Sequence, residues 1–112
     1  MKRPAADRIR DALGAMDVAE AFVSGLTQEA FAADMRTVFA VERCFTILGE
    51  ALSHVPDSVR AAYPDVPWQD VRGMRNRITH DHLRTDKEMM WQTIHSDFPA
   101  LRPLLDRVLA AL

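Results

Sequence analysis

Apolar residues recur three and four positions apart along almost the whole chain, which is the spacing of one face of an α-helix. Alternating apolar and polar residues, the pattern of a half-buried strand, persist nowhere for more than a few positions. The pattern predicts an all-α fold. The first helix is expected from about Pro4 to Ser24, with Gly25 in the place of a C-terminal cap. Its predicted buried stripe is Ile9, Leu13, Met16 and Val23.

A second, longer helix is predicted from Thr27, whose hydroxyl can cap the first turn, to His54, where Val55-Pro56 ends it. At 1.5 Å per residue such a helix spans roughly 40 Å. We therefore expect it to form the backbone of a helical bundle. Its predicted apolar face is Phe31, Met35, Val38, Phe45, Leu48 and Leu52.

Prolines and a capping pattern divide the second half of the chain. A short helical piece is expected around Ser58–Tyr63, and Pro67 suits the first turn of a third helix, where its missing N–H is not needed. Thr85 and the glutamate three positions later have capping-box spacing, so a fourth helix should start near Asp86. Pro99 should break or kink that helix. The predicted buried residues of these stretches are Trp68, Val71, Met74, Ile78, Met90, Trp91, Ile94, Leu101, Leu104, Leu105, Val108, Leu109 and Leu112.

The composition indicates one compact domain over residues 1–112, because 48% of the residues are apolar and 27% charged. The helices predicted above would form an antiparallel bundle of four to five helices. A domain of this size has little room for the two lobes of a classical dinucleotide enzyme, so any site is small or shared between subunits. Cys44 is the only cysteine, which excludes an intrachain disulfide and fits a reducing, cytoplasmic environment. No apolar run is long enough for a signal peptide or a membrane span.

Positive charge is concentrated late in the chain, although the net charge is −2 and the pI about 6.0. Whole-chain values of this kind do not indicate nucleic-acid binding. The segment 72–87 nevertheless carries five basic side chains against two acidic ones. The basic residues are Arg72, Arg75, Arg77, Arg84 and Lys87. This basic segment is where a site for an anionic substrate is expected.

Candidate proton-transfer, amide and anion-binding groups occur together only at residues 75–82. On a helix Asn76 and His80 share a face, whereas Arg75 and His80 are five positions apart and diverge by roughly 140°. Two explanations for a cooperating pair remain open. Either the helix ends near His80 and turns the imidazole back, or a second copy of the chain completes the site across a dimer interface.

An arginine and a histidine are the groups that metal-independent RNA cleavage requires. His80 can remove the proton from a 2′-hydroxyl because imidazole titrates near neutral pH. Arg75 can stabilise the negative charge that develops on the attacked phosphate, and Asn76 can orient His80 or hold a phosphate oxygen. The competing interpretation is a solvated basic face, since this spacing occurs by chance in many helices.

A metal site at His80, Asp81 and His82, together with His95, is a weaker hypothesis. Two histidines that are two positions apart on a helix diverge by about 200°, so chelation would need an extended segment. No metal or other cofactor is therefore expected.

Other notable side chains have structural interpretations. Trp68 and Trp91 lie at core positions and are expected to pack against apolar neighbours rather than stack on bases. Glu42 and Glu50 lie near the apolar stripe of the long helix, and their structural interpretation is pairing with Arg75 or Arg72 across a subunit interface. Cys44 is expected to be a small buried apolar group.

Several short segments together resemble the HEPN superfamily, and in particular its HepT-like toxin branch. Arg75-Asn76-x-x-x-His80 resembles the R-N-x-x-x-H signature. Ile47-Leu48-Gly49-Glu50-Ala51 is similar to the I-G-E-A segment of that branch, and Tyr63-Pro64-x-x-Pro67-Trp68 to its Y-P-x-x-P-W segment. Trp91 and Asp97-Phe98-Pro99-Ala100-Leu101 resemble the W and D-L-P-x-L elements downstream. The matches follow the family order over residues 5 to 110.

The resemblance implies a HEPN-like homodimer whose two motif helices form a composite cleft. It implies an endoribonuclease toxin that is neutralised by an MNT-type nucleotidyltransferase. By position, Arg75 and His80 are the catalytic pair, Asn76 is the supporting polar residue and Glu50 is the acidic position of the family, with a structural or site-supporting role. Candidate contacts to RNA phosphates are Arg72, Arg77 and Arg84.

One position departs from the family pattern, in which the tyrosine two residues after the histidine accepts AMP from the nucleotidyltransferase. Here that position is His82, which has no phenolic hydroxyl. Three hypotheses follow. The toxin is neutralised by a stable complex, it is modified at another residue such as Tyr63, or the pair has diverged and uses no modification. Two further functions compete with the enzyme: a non-catalytic helical partner that only binds its nucleotidyltransferase, and a module that binds RNA or nucleotides without cleaving them.

Overall fold

The computed structural model describes residues 4–70 and 86–112, and within these ranges the chain is helical with no strand. The helices are α1 (Ala5–Val23), α2 (Gln28–Ala33), α3 (Met35–Ser53), α4 (Asp57–Ala62), α5 (Lys87–Gln92) and α6 (Phe98–Ala111). A π-helical turn, Thr93–Asp97, joins α5 to α6, and residues 68–70 are also helical. The predicted all-α fold is confirmed for these residues. The number of helices in the whole chain stays a prediction.

The first helix matches its prediction to within one residue at each end. Ile9, Met16 and Val23 are buried, and Leu13 packs against the core while partly exposed. The chain leaves α1 through Gly25, whose φ of 79° lies in the left-handed region that an L side chain rarely adopts.

The prediction of one continuous helix from Thr27 to His54 is wrong, because the chain breaks at Asp34. Thr27 caps only the short α2, with its Oγ1 accepting from the amide of Ala30 at 3.1 Å. Asp34 is extended (φ −103°, ψ 93°), and its carboxylate accepts from the amides of Arg36 and Thr37 and from the Thr37 hydroxyl at 2.8 Å. A local aspartate cap thus competes successfully with helix continuation. Met35 becomes the first residue of α3 and is 40% exposed, not buried as predicted.

Replacing Asp34 by alanine is expected to lower the melting temperature at neutral pH. Asp34→Asn can still cap the helix and should have a melting temperature close to that of wild type. Hydrogen bonds from Thr37 lower the pKa of the Asp34 carboxyl. Its contribution to stability is therefore present above the unfolded pKa, near 4, and is lost as the pH falls through the folded value. Thermal denaturation followed by circular dichroism should show the D34A deficit shrinking between about pH 7 and about pH 2. An equal melting temperature for D34A and wild type at neutral pH would contradict this role.

The two long helices, α1 and α3, pack against each other in opposite directions, since the start of α1 and the end of α3 line the same surface pocket. The start of α6 meets the end of α1 in the same way, where the Arg102 guanidinium donates to Asp17 and Glu20 at 2.6 Å each. Phe45 of α3 and Phe98 of α6 meet edge to face in the core, with ring centroids 5.7 Å apart. The largest fully buried side chains are Phe31, Phe45, Phe98, Ile9, Met16, Leu48, Leu52, Met90, Leu105, Val38 and Val41.

The fourth predicted helix begins where expected but with a different cap. The Asp86 carboxylate, rather than the predicted Thr85 hydroxyl, accepts from the amide of Met89 at 2.9 Å, while Thr85 itself lies outside the described residues. Lys87 ties this helix to α2, because its ammonium donates to the carbonyl of Ala32 at 2.9 Å. Pro99 does not end the helical path. A π-helical turn precedes Pro99, which lies in the first turn of α6, and α6 continues to Ala111.

The buried positions of the second half were largely predicted. Trp68 is buried, with its indole N–H donating to the carbonyl of Tyr63 at 3.0 Å, and Trp91 is half-buried against Phe31. Leu112 is 49% exposed, contrary to prediction. The predicted core residues Val71, Met74 and Ile78 lie outside the described residues. Those confirmed as buried are Met90, Ile94, Leu101, Leu105 and Val108, with Leu104 and Leu109 partly exposed.

Cys44 is buried, as predicted, and burial raises the pKa of its thiol. No helix in the described part of the chain combines the length and the apolar character needed to cross a membrane.

Candidate functional site

Most of the predicted site lies outside the described residues. This holds for Arg72, Arg75, Asn76, Arg77, His80, His82 and Arg84. Glu50 is the predicted site residue that the structure describes. Three of the four residues of the hypothetical metal site also lie outside the described residues, namely His80, Asp81 and His82. Residues 4–70 and 86–112 contain no group of three or more side chains that could hold a metal ion.

Glu50 lies in the last two turns of α3 and is partly buried at a surface pocket of about 330 Å³. The pocket is lined by Arg8, Asp11, Ile47, Glu50, Ala51 and His54. We call it the Glu50 pocket. It brings a guanidinium, an imidazole and two carboxylates around one cavity at the end of the α1–α3 pair.

Helical spacing explains why these side chains converge. Ile47, Glu50 and His54 are three and four positions apart on α3, so they share one face of that helix. Arg8 and Asp11 are three positions apart on α1 and therefore share a face too. Because the two helices are antiparallel, the first turns of α1 lie beside the last turns of α3, and the two polar faces meet.

The imidazole of His54 is held in one orientation by the backbone. Its Nδ1 lies 2.8 Å from the carbonyl oxygen of Glu50. A carbonyl can only accept, so the contact is a hydrogen bond when Nδ1 carries the ring hydrogen. The Ser53 hydroxyl lies beside it, 3.2 Å from Nδ1, and donates to the same Glu50 carbonyl at 2.7 Å. The backbone at the end of α3 thus orients the His54 ring.

A second surface pocket, of about 590 Å³, lies at the opposite end of α1. Its lining includes Glu20, Val23, Ile94, His95 and Arg102. The charged side chains of this pocket form ion pairs that hold α1 and α6 together, because Arg102 binds the carboxylates of Asp17 and Glu20. These carboxylates raise the pKa of the Arg102 guanidinium, with the hydrogen bond to Glu20 as the largest cause. His95 stacks on Trp91 with ring centroids 4.0 Å apart. The Glu50 pocket is therefore the better candidate site.

Sequence reasoning missed Arg8, Asp11 and His54 as site residues. A signal for His54 was present, because it follows Glu50 by four positions and so lies one turn further along the same face. No such signal existed for Arg8 and Asp11. Their approach to Glu50 depends on how α1 packs against α3, which local spacing does not encode.

Comparisons with known proteins agree with the resemblance seen in the motifs. The family model described as ribonuclease HepT-like matches residues 12–108. A protein named "Probable ribonuclease HepT" from Thermococcus cleftensis is 31% identical over 108 residues, covering 96% of this chain and 98% of its own length. "Putative RNase MJ0125" from Methanocaldococcus jannaschii is 28% identical and covers 91% of this chain and 88% of its own length.

A third relative, "Putative RNase TTE0752" from Caldanaerobacter subterraneus, is 30% identical over 78% of each chain. No solved structure matches the chain. The family match extends over most of the sequence, including α3 with Glu50 and the basic segment, and it begins after Arg8 and Asp11 of the Glu50 pocket. The chain therefore belongs to the ribonuclease HepT-like family.

Proposed function

We propose that the protein is a metal-independent endoribonuclease and the toxin of a type II/VII-like toxin–antitoxin pair. The observation that carries this proposal is Arg75-Asn76-x-x-x-His80 within the residues matched by the ribonuclease HepT-like family. The names of its relatives, which describe a ribonuclease and RNases, support the activity class. The basic segment supplies the positive charge that an RNA backbone requires.

The proposed reaction is an attack of the 2′-hydroxyl on the adjacent phosphate. His80 accepts the proton of that hydroxyl, and the guanidinium of Arg75 binds the phosphate oxygens as negative charge develops on them. Asn76 orients His80 or holds a phosphate oxygen. Arg72, Arg77 and Arg84 hold neighbouring phosphates, which fixes the register of the strand without reading its sequence.

Arg75 and His80 diverge on one ideal helix, so we propose that they cooperate across the interface of a homodimer. Each composite site then takes its arginine from one protomer and its histidine from the other. This arrangement also fits a chain of 112 residues, which has little room for an elaborate active site of its own.

The proposed antitoxin is an MNT-type nucleotidyltransferase. Because His82 stands where the family has its AMP-accepting tyrosine, mass spectrometry of the protein after coexpression with that enzyme distinguishes the open possibilities. An added AMP on Tyr63 or another residue supports modification. An unmodified chain in a tight complex supports neutralisation by binding alone.

The test of the proposed activity is cleavage of RNA by the purified protein in the presence of EDTA. We expect cleavage to continue and the 5′ fragments to end in a 2′,3′-cyclic phosphate, since the attacking oxygen belongs to the RNA. Loss of cleavage with EDTA, restored by added Mg²⁺, would contradict metal independence. Absence of products with every RNA tried, together with stable binding of the nucleotidyltransferase, would favour the non-catalytic partner; saturable RNA binding without products would favour the binding module.

A further inference from the structure

Exposed apolar side chains are concentrated on the two long helices, α1 and α3. Within residues 4–70 and 86–112, six large apolar side chains are exposed, and five of them belong to these helices. The five are Val18, Phe22, Met35, Phe39 and Ile47. A single exposed apolar residue is common on a soluble protein, whereas a contiguous group marks an interaction surface.

Helical spacing places three of these side chains on the side of the helix pair that carries the Glu50 pocket. On α1, Val18 and Phe22 follow Asp11 of the pocket by seven and eleven positions, so they share its direction to within about 20°. On α3, Phe39 precedes Glu50 by eleven positions and shares its direction in the same way. We call this surface the α1–α3 face. It comprises Asp11, Val18, Phe22, Arg36, Phe39, Arg43, Ile47, Glu50 and His54.

The α1–α3 face has two different ends. Because the helices are antiparallel, the spacing from Asp11 to Phe22 and from Glu50 to Phe39 runs in the same direction in space. Eleven residues of helix are roughly 16 Å long. The apolar end, formed by Val18, Phe22 and Phe39, therefore lies about one and a half nanometres from the Glu50 pocket on the same surface.

We propose that two copies of the chain associate through the α1–α3 face, in opposite directions, so that the apolar end of each copy covers the Glu50 pocket of the other. The proposal rests on the homodimer of the proposed function and names the surface that forms it.

The shape of the face supports a second copy as the occupant. A closed two-fold dimer requires a surface that is complementary to itself. A two-fold axis through the middle of the face, between Arg43 and Ile47, exchanges its two ends. One end presents the exposed phenyl rings of Phe22 and Phe39, and the other presents a cavity of about 330 Å³. A cavity of roughly 150 Å³ is enough for benzene, so the pocket can admit a ring from the partner.

The charges on the face favour the same arrangement. Arg36 and Arg43 are exposed in the half that holds the apolar end and give it a formal charge of +2. The pocket has a formal charge of −1, from the carboxylates of Asp11 and Glu50 and the guanidinium of Arg8, with His54 neutral. Association in opposite directions brings the arginines of each copy towards the carboxylates of the other, whereas association in the same direction would place arginine beside arginine.

The size of the face is sufficient for a specific dimer. Helices α1 and α3 have 19 residues each. At 1.5 Å per residue and about 10 Å per helix diameter, the pair presents roughly 28 by 20 Å, or about 560 Å² per copy. Two copies then bury about 1,100 Å² in total, which passes the threshold of about 1,000 Å² for a biological interface.

The test measures the dimer dissociation constant of the full chain by sedimentation equilibrium, with two opposite charges at one position. Phe39→Glu adds a carboxylate opposite the carboxylates of the partner's pocket, whereas Phe39→Lys adds an ammonium there. We expect F39E to raise the dissociation constant by roughly 10²-fold or more, and F39K to raise it by no more than about tenfold. If Phe39 instead faced Phe39 of the other copy, the two charges would weaken the dimer equally, which would overturn the arrangement.

Leu112→Glu is the matched control, because Leu112 is 49% exposed and Phe39 54%, but Leu112 lies beyond α6 and off the α1–α3 face. L112E should keep the wild-type dissociation constant. Circular dichroism of all three variants should match wild type, since each replaces an exposed side chain. A dissociation constant for F39E equal to that of wild type, in a folded protein, would show that another surface forms the dimer.

RNA cleavage by wild-type protein separates the failure of this inference from that of the proposed function. Dimeric F39E together with active wild type overturns the α1–α3 face and leaves the ribonuclease intact. Dimeric wild type, monomeric F39E and no cleavage of any RNA support the face and overturn the ribonuclease. A wild-type chain that stays monomeric, and whose binding to the nucleotidyltransferase is lost in F39E, would assign the face to that enzyme and overturn the inference.

Discussion

Replacing His80 by alanine is expected to abolish RNA cleavage and growth inhibition, and replacing Arg75 by alanine is expected to do the same. Loss of a general base costs a rate factor of about 10²–10⁴, because the 2′-hydroxyl must then lose its proton to water. Loss of a group that stabilises developing charge costs about 10²–10³ in kcat. The measurements are initial rates on a labelled RNA and colony formation after induction. Circular dichroism and sedimentation of both variants should be unchanged, since neither substitution removes an apolar side chain.

Mixing the two inactive variants tests whether the site is composite. If Arg75 and His80 of different protomers form each site, a heterodimer of R75A and H80A contains one intact site out of two. Half of the dimers in an equimolar, fully exchanged mixture are heterodimers, so about one quarter of the wild-type rate should return. No recovery after verified subunit exchange would show that the two residues act within one protomer, or that both sites are needed together. Full toxicity of both single variants would overturn the catalytic assignment itself.

The fold was predictable where a local pattern decides it and not where two local preferences compete. The burial of Ile9, Met16 and Val23 follows from spacing alone, and so does the left-handed turn at Gly25. The break at Asp34 does not follow from spacing, because the apolar face continues across it from Phe31 to Val38. The break is stabilised because the Asp34 carboxylate accepts hydrogen bonds from the amides of Arg36 and Thr37. These capping bonds replace the helical hydrogen bonds that are lost where the helix is interrupted.

The residues of the candidate site stay predictions from the sequence, and the structure describes the position of only one of them, Glu50. The Arg75–His80 spacing and the acidic position Glu50 can be identified in the sequence, and Glu50 does line a polar pocket. Arg8 and Asp11 line the same pocket but belong to another helix, 42 and 39 positions earlier in the chain. Tertiary packing brings them there. A contact of this kind depends on the direction and rotation of α1 on α3, which the amphipathic pattern of either helix leaves open.

Replacing Phe45 by alanine is expected to lower the free energy of unfolding by about 3–5 kcal/mol. Phe45 is 2% exposed and packs edge to face on Phe98, which is 1% exposed, so the truncation leaves a cavity between α3 and α6 and removes an aromatic pair. Since domains of this size are commonly stable by about 5–15 kcal/mol, the loss is a large fraction of the total. Urea denaturation followed by circular dichroism measures it, with an unchanged slope indicating that the unfolded state is unaffected.

Phe39→Ala is the matched control, because Phe39 lies on the same helix but is 54% exposed within a single chain. Its truncation should change the free energy of unfolding of the monomer by less than about 0.5 kcal/mol. Unfolding at two protein concentrations separates burial in the core from burial between copies. The F45A deficit is a property of one chain and is expected at both concentrations. A deficit in F39A that grows with protein concentration would mean that a partner covers Phe39, and equal deficits for both variants at low concentration would refute the core assignment of Phe45.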